Sequence, residues 1–208
     1  MSPMSDTPTT PLSVALKAAT APTHGVLDQR IMAFNPFAGR EHYAAFLQMQ
    51  YRFHRDVDAL FSDPELNRLL PGLSERRRFH QVAQDLADLG LTPSGDDTPP
   101  AFVPGAAVDV PGALGWLYTE EGSNLGGAFL FKLAARIGFD ENQGARHLAP
   151  HPEGRAPSWK AFVAQLDAVP LDADGRARAA AGAQAAFARV LGHVEACCPL
   201  PVAQGTPA

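Results

Sequence analysis

The sequence predicts an all-α fold, and three observations carry that prediction. Apolar residues recur at helical steps of three and four over long stretches. No segment shows the period-two alternation of a half-buried strand. The chain's last long segment, about Asp172 to Cys197, is alanine-rich and strongly helix-forming.

Taken in order, residues 1–11 are Ser/Thr/Pro-rich and read as a disordered tail, as do residues 199–208, leaving one domain over 12–198. Leu12 to Ala19 is helical in character. Pro22 cannot continue an unbroken helix without losing a hydrogen bond, so Thr20 is expected to cap a second helix running to about Phe34, with Pro22 in its first turn. The clearest helix is about Arg40 to Phe61. Its inward stripe is Tyr43, Phe46, Leu47, Gln50, Phe53, His54, Val57, Leu60 and Phe61, which makes Gln50 and His54 neighbours on an apolar face. A further helix is expected from Ser74 to Leu89, stopped by Gly90. Leu91 to Ala107, with four prolines, reads as a surface connection, and Ser158 to Ala168 as a shorter helix before Pro170.

Composition narrows the function. Hydrophobic residues make up 46% of the 208, enough for a substantial core. A net charge of −5 argues against a general nucleic-acid binder, which needs a basic face. There is no basic, apolar leader and no stretch of about 20 apolar residues, so no membrane association is expected. The two cysteines, Cys197 and Cys198, are adjacent and cannot staple distant parts of the chain; reduced thiols in a cytoplasmic protein are expected.

The segment with the most unusual chemistry is Gly115 to Lys132, GWLYTEEGSNLGGAFLFK. It reads as a long helix, or as two shorter helices joined by a loop. Gly122, Gly126 and Gly127 each disfavour a helix interior by about 1 kcal/mol relative to alanine. Gly122 and Gly126 share a face, which suits a flat ligand that must approach the backbone, and lets the helix bend. His24 is a histidine near a helix start, and a neutral imidazole is a good axial ligand for haem iron. A di-iron site is disfavoured because Glu-x-x-His is missing, zinc motifs are missing, and Ser123 lacks the strand-turn-helix of a serine hydrolase.

Four stretches together resemble the haem oxygenases, most closely the bacterial branch of Gram-negative pathogens: LKAATAPTHGVLD (16–28), PFAGREHYAAFLQMQYRFHRDVDALF (36–61), the glycine-rich segment (115–132) and GARHLAPHPEGRAPSWKAFV (144–163). The resemblance implies a single-domain helical fold with haem, as both cofactor and substrate, between a proximal helix carrying His24 and a kinked distal helix carrying Gly122 and Gly126. It implies that the missing side chains there leave room for dioxygen, with Ser123 against the haem. Gln50, His54 and Asn124 correspond to a polar network able to donate protons there. Lys17 and Tyr118 match positions that contact haem propionates, which implies opening at the α-meso carbon. The products would be biliverdin, carbon monoxide and ferrous iron, with O2 and electrons from an external donor, a ferredoxin or an NADPH-dependent reductase. A basic rim of Lys17, Lys132 or nearby arginines is a candidate docking edge. Arg146, His147, His151 and Arg155 are expected to fix a loop against the helical body. The expected protein is a monomer serving iron acquisition rather than bilin supply. Two rivals remain: a haem carrier or sensor of the same fold, and a related helical enzyme acting on another small molecule, such as a thiamine-degrading protein.

Overall fold

The computed structural model describes residues 10–94 and 98–200; of the expected tails at 1–11 and 199–208, residues 1–9 and 201–208 lie outside the described residues. The described residues contain no strand, only an isolated bridge between Asp140 and Gly144. Seven α-helices among them surround one core: α1 (Leu12–Phe34), α2 (Arg40–Val57), α3 (Pro64–Leu69), α4 (Phe79–Asp88), α5 (Val110–Arg136), α6 (Arg155–Ala168) and α7 (Ala173–Cys197). No helix among the described residues is long and apolar enough to cross a membrane.

Against the expectation of a break at Pro22, α1 runs unbroken through it. Thr20 does not cap a new helix; its hydroxyl donates back to the Leu16 carbonyl at 2.8 Å. A proline inside a helix disfavours it by about 3 kcal/mol. The buried stripe of Leu12, Leu16, Leu27 and Phe34 offsets this, because each such side chain stabilises by about 1.5–3 kcal/mol when fully buried. That stripe packs on α7, which holds both halves of α1 in line.

The expected inward stripe of α2 is buried at every position except Gln50, which is half-buried. The helix tightens to a 3-10 turn at Asp58–Ser62. Asp63 then caps α3, its carboxylate accepting from the Leu66 N–H at 2.8 Å, with Pro64 in the first turn. The helix expected over 74–89 is split: a 3-10 turn at Leu73–Arg76, an extended Arg77 (ψ 128°), then α4. The reason lies in three consecutive arginines that reach three different places. Arg76 pairs with Glu121, Arg77 with Asp58, and Arg78 donates to the His147 and Ala149 carbonyls. Gly90 ends α4 with φ +70°, as a C′ glycine should.

The helices α5 and α7 cross at backbone contact. A Cβ added to Gly182 would fall inside the van der Waals radius of the Gly112 carbonyl, and one added to Gly115 would strike the Ala179 carbonyl. Glycine is required at both positions for the approach itself.

Asp56, fully buried, ties three parts of the chain together. Its carboxylate accepts from Arg189 at 2.7 and 2.9 Å, bonds His193 Nε2 at 2.7 Å, and accepts the Ala101 N–H at 2.9 Å. Burial alone would raise its pKa, but these hydrogen bonds outweigh burial and hold it below the usual carboxylate range. Its stabilising contribution is therefore complete above about pH 4 and is lost as pH falls through the depressed native value. Asp56→Asn is expected to destabilise the fold by about 3–5 kcal/mol in denaturant titrations near neutrality, and to flatten the acid side of the stability profile.

Candidate functional site

Both α1 and α5 pack on α7, and His24 and the glycine-rich stretch lie beyond that support. The His24 ring lies 5.7 Å from the Phe187 ring of α7. One turn earlier on α7, the Ala183 carbonyl meets the hydroxyl of Thr119 in α5 at 3.5 Å. Continuing along α5 from Thr119 leads directly to Gly122 and Gly126.

The His24 side chain is 62% exposed, and its Nδ1 lies 2.9 Å from the Asp28 carboxylate, one helical turn on. A carboxylate at Nδ1 fixes the proton on that nitrogen and leaves the Nε2 lone pair free for a metal. A Cβ built on Gly126 would meet no atom within 4 Å, and one on Gly122 only the edge of Trp159 at 3.6 Å. The glycines therefore bare a stretch of helix surface rather than serving close packing within the protein. Exposed Val26 on α1 and Leu125 and Phe129 on α5 supply apolar area near these positions. An unhindered imidazole nitrogen, a bare helix face and exposed apolar side chains fit a flat, apolar, iron-bearing ring.

Local sequence explains how α5 carries this face. Asp109 caps the helix, accepting from Gly112 N–H at 3.0 Å, and Pro111 sits in the first turn. Of the two readings of the glycine-rich segment, the structure has one long helix. Within it the Ser123 hydroxyl donates to the Glu120 carbonyl at 2.7 Å, and the Asn124 carbonyl accepts from Arg155 at 2.8 Å. Carbonyls engaged by side chains in this way compete with the helical ladder, which suits a bend.

Tyr118 packs on Trp159 with ring centroids 5.6 Å apart. Burial, reinforced by Asp167, raises its pKa, so it remains a phenol donor at neutral pH. Asp167 in turn accepts from Ser13 N–H and hydroxyl at 2.7 and 2.8 Å. Lys17, exposed, lies one turn after Ser13, so Tyr118 and Lys17 belong to the same end of the site.

His54 is buried, with Nδ1 3.6 Å from Oε1 of Glu120. Burial first, then His147 and Arg78, push its pKa down to about 3, so it is a neutral imidazole. Gln50 lies one turn before it on α2. His147 has Nδ1 2.8 Å from Asp85, and Arg146 pairs with both Asp85 and Asp88. Arg155 donates to the Leu148 carbonyl. These contacts are the loop-fixing role expected for Arg146, His147 and Arg155. His151 lines a cleft of about 360 Å³ beside α5, together with Arg76, Arg78, Glu121, Asn124 and Arg155.

Sequence reasoning passed over Asp28, Glu120, Glu121, Asp85 and the arginine run. Asp28 carried a usable signal, four residues after His24. Glu120 and Glu121 stand inside an apolar helical stretch at positions that share a stripe with Leu117 and Asn124.

The haem oxygenase family's sequence model matches residues 10–195. The chain is 44% identical over 178 residues to the haem oxygenase PigA of Pseudomonas aeruginosa, covering 85% of this chain and 88% of that one. It is 32% identical over 149 residues to a haem oxygenase of Xanthomonas campestris, covering 70% of this chain and 84% of that one. Its fold matches a haem oxygenase structure from Neisseria meningitidis with a TM-score of 0.85 and 39% identity, over 96% of this chain and all of that one. Haem oxygenase 2 of Chlamydomonas reinhardtii, at 20% identity and a TM-score of 0.69, shares the fold. The chain thus belongs to the haem oxygenase family, enzymes that degrade haem by oxidation.

Proposed function

We propose that residues 12–198 form the haem-degrading unit, in which haem would lie between α1 and α5 and be held through its iron by His24 Nε2. The observation that carries this reading is the His24–Asp28 pair on α1, which frees one imidazole nitrogen, together with a face of α5 bared at Gly126. When bound, haem supplies the redox-active iron and is itself the porphyrin that is opened. The chain's own residues bind, orient and supply protons. Gly122, Ser123 and Gly126 let the α5 backbone approach the ring. Lys17 and the Tyr118 phenol donate to the propionates and fix the ring's rotation. Gln50, His54 and Asn124 hold the polar network on the distal side, where a neutral imidazole can both accept and donate.

This arrangement supports α-biliverdin, carbon monoxide and ferrous iron as products. Dioxygen is the oxidant and a ferredoxin or an NADPH-dependent reductase is the donor. The Neisseria relative was solved with NO and CO bound, diatomic molecules of the size of O2. We read the protein as a cytoplasmic monomer whose reaction releases iron for acquisition.

Chromatography of the bilin product tests the orientation. Wild type is expected to yield the α isomer, and Lys17→Ala with Tyr118→Phe a mixture of isomers. An unchanged product in the double variant would contradict propionate anchoring by this pair. Asp28→Asn tests the ligand geometry. It should weaken haem binding by about tenfold, the lower end for an outer-shell partner because the pair is exposed. Unaltered affinity in a haemin titration would show that Asp28 does not orient the ligand.

A further inference from the structure

Among the described residues, several buried polar atoms without full hydrogen-bonding geometry gather around one residue of α5. Glu120 is fully buried; the Asn124 amide one turn on is its nearest donor, and it does not meet full hydrogen-bonding geometry with either carboxyl oxygen. His54 Nδ1 lies 3.6 Å from Oε1 and also lacks full hydrogen-bonding geometry, as do Oε1 of Glu121 and Nε2 of His147. An ionised carboxylate with no well-aligned donor in such a place is less stable than the neutral acid.

Several groups face Glu120: His54 from α2, the neighbouring Glu121, Arg76 and Arg78 from the segment leading into α4, and the Asn124 amide one turn on. The two guanidiniums and the amide favour the carboxylate. Burial, followed by repulsion from Glu121, outweighs them, and Glu120 is raised well above the usual carboxylate range. His54 opposite is neutral for the same reason, burial. A neutral acid thus faces a neutral base across a gap that a small side-chain rotation or one bridging water closes.

The arginine-lined cleft comes up to the neighbours of this pair, not to Glu120 or His54 themselves. Glu121 and Asn124, flanking Glu120 in α5, both line it, and Arg76 holds Oε2 of Glu121 at 2.8 Å. We propose that Glu120 is a proton-holding residue, a neutral carboxylic acid that acts through His54 and is refilled from solvent through the arginine-lined cleft. Proton bookkeeping closes without any redox change. The Glu120 O–H bond breaks as an N–H bond forms at His54 Nδ1, and the proton on Nε2 passes to the next acceptor on the distal side. The Glu120 carboxylate then regains a proton from water in the cleft. This makes Glu120 a positioning residue for the haem-degrading reaction, on which the second arm of the test rests.

The first arm needs no haem. Infrared spectra of the full-length, haem-free protein at neutral pH should contain the carbonyl stretch of a protonated, desolvated carboxylic acid. The band should shift in D2O, persist well above the usual carboxylate range and disappear in Glu120→Gln. Absence of such a band, or its survival in the variant, overturns the proposal. Should Glu120→Gln fail to fold, Glu120→Leu serves the same subtraction, since an apolar residue in place of a buried acid with no well-aligned donor is neutral or stabilising. The second arm loads wild type and Glu120→Gln with haem. Affinity should be unchanged, and turnover at least about tenfold lower with a rate that falls as pH rises, because protons then come from bulk water. Glu120→Asp should recover part of the rate. Equal turnover with an unaltered pH profile overturns the relay. A wild type that binds haem without turnover would refute the activity instead, leaving the infrared band to decide whether Glu120 holds the proton.

Discussion

Haemin added to His24→Ala is expected to give no histidine-ligated Soret band and no bilin on reduction in air. The Asp28 carboxylate occupies Nδ1, so Nε2 is the atom left to coordinate, and α1 offers no second imidazole near it. Loss of the ligand itself should exceed the roughly 10–100-fold effect of losing an outer-shell partner. The fold should be untouched, because the His24 side chain is 62% exposed and surface changes are usually within about 0.5 kcal/mol. Free imidazole should restore the spectrum by filling the vacated position. A wild-type haem spectrum in His24→Ala would move the axial ligand elsewhere in the chain.

The second large effect concerns stability rather than chemistry. Gly182→Ala is expected to destabilise the protein by about 3 kcal/mol, the upper end for overpacking, because the new methyl meets the Gly112 carbonyl rather than a movable side chain. Denaturant titration reads this directly. Gly126→Ala supplies the contrast: nothing lies within 4 Å of its added Cβ, so the protein should gain up to about 1 kcal/mol, the helix-propensity difference between glycine and alanine. Haem affinity should nevertheless fall in Gly126→Ala, since the methyl enters the surface the ring would occupy. Equal stability of Gly182→Ala and wild type would mean that α5 and α7 separate more easily than the crossing implies.

This contrast shows which parts of the molecule the sequence reveals. The α2 stripe was legible because its apolar spacing is complete over five turns, and the structure buries every position of it but Gln50. The glycine-rich segment was legible as unusual, but not which glycines serve packing. Gly115 and Gly182 look no different in sequence from Gly126, and only the crossing of α5 and α7 separates them. Pro22 was misread because local propensity favours a break there, whereas burial of Leu12, Leu16, Leu27 and Phe34 against α7 keeps one helix. The split between Leu73 and α4 depends on where Arg76, Arg77 and Arg78 find partners, which no local pattern records.

The site divides in the same way. His24, Lys17, Tyr118, Gln50, His54 and Asn124 stood out through helical spacing and through resemblance. Glu120 did not, because a glutamate in a helix normally faces water, and its burial is set by α2 and the 144–155 segment. Asp56 and Arg189, 133 residues apart, form their pair only in the folded chain.

Binding of haem through His24 and its destruction with oxygen form one testable assignment. The most direct test is an absorption titration of the purified protein with haemin, followed by a reductant in air. That assignment requires a saturable Soret band at one haem per chain that gives way to a biliverdin spectrum on reduction. A haem spectrum that saturates and then persists unchanged under reductant and air would contradict it and identify a carrier instead.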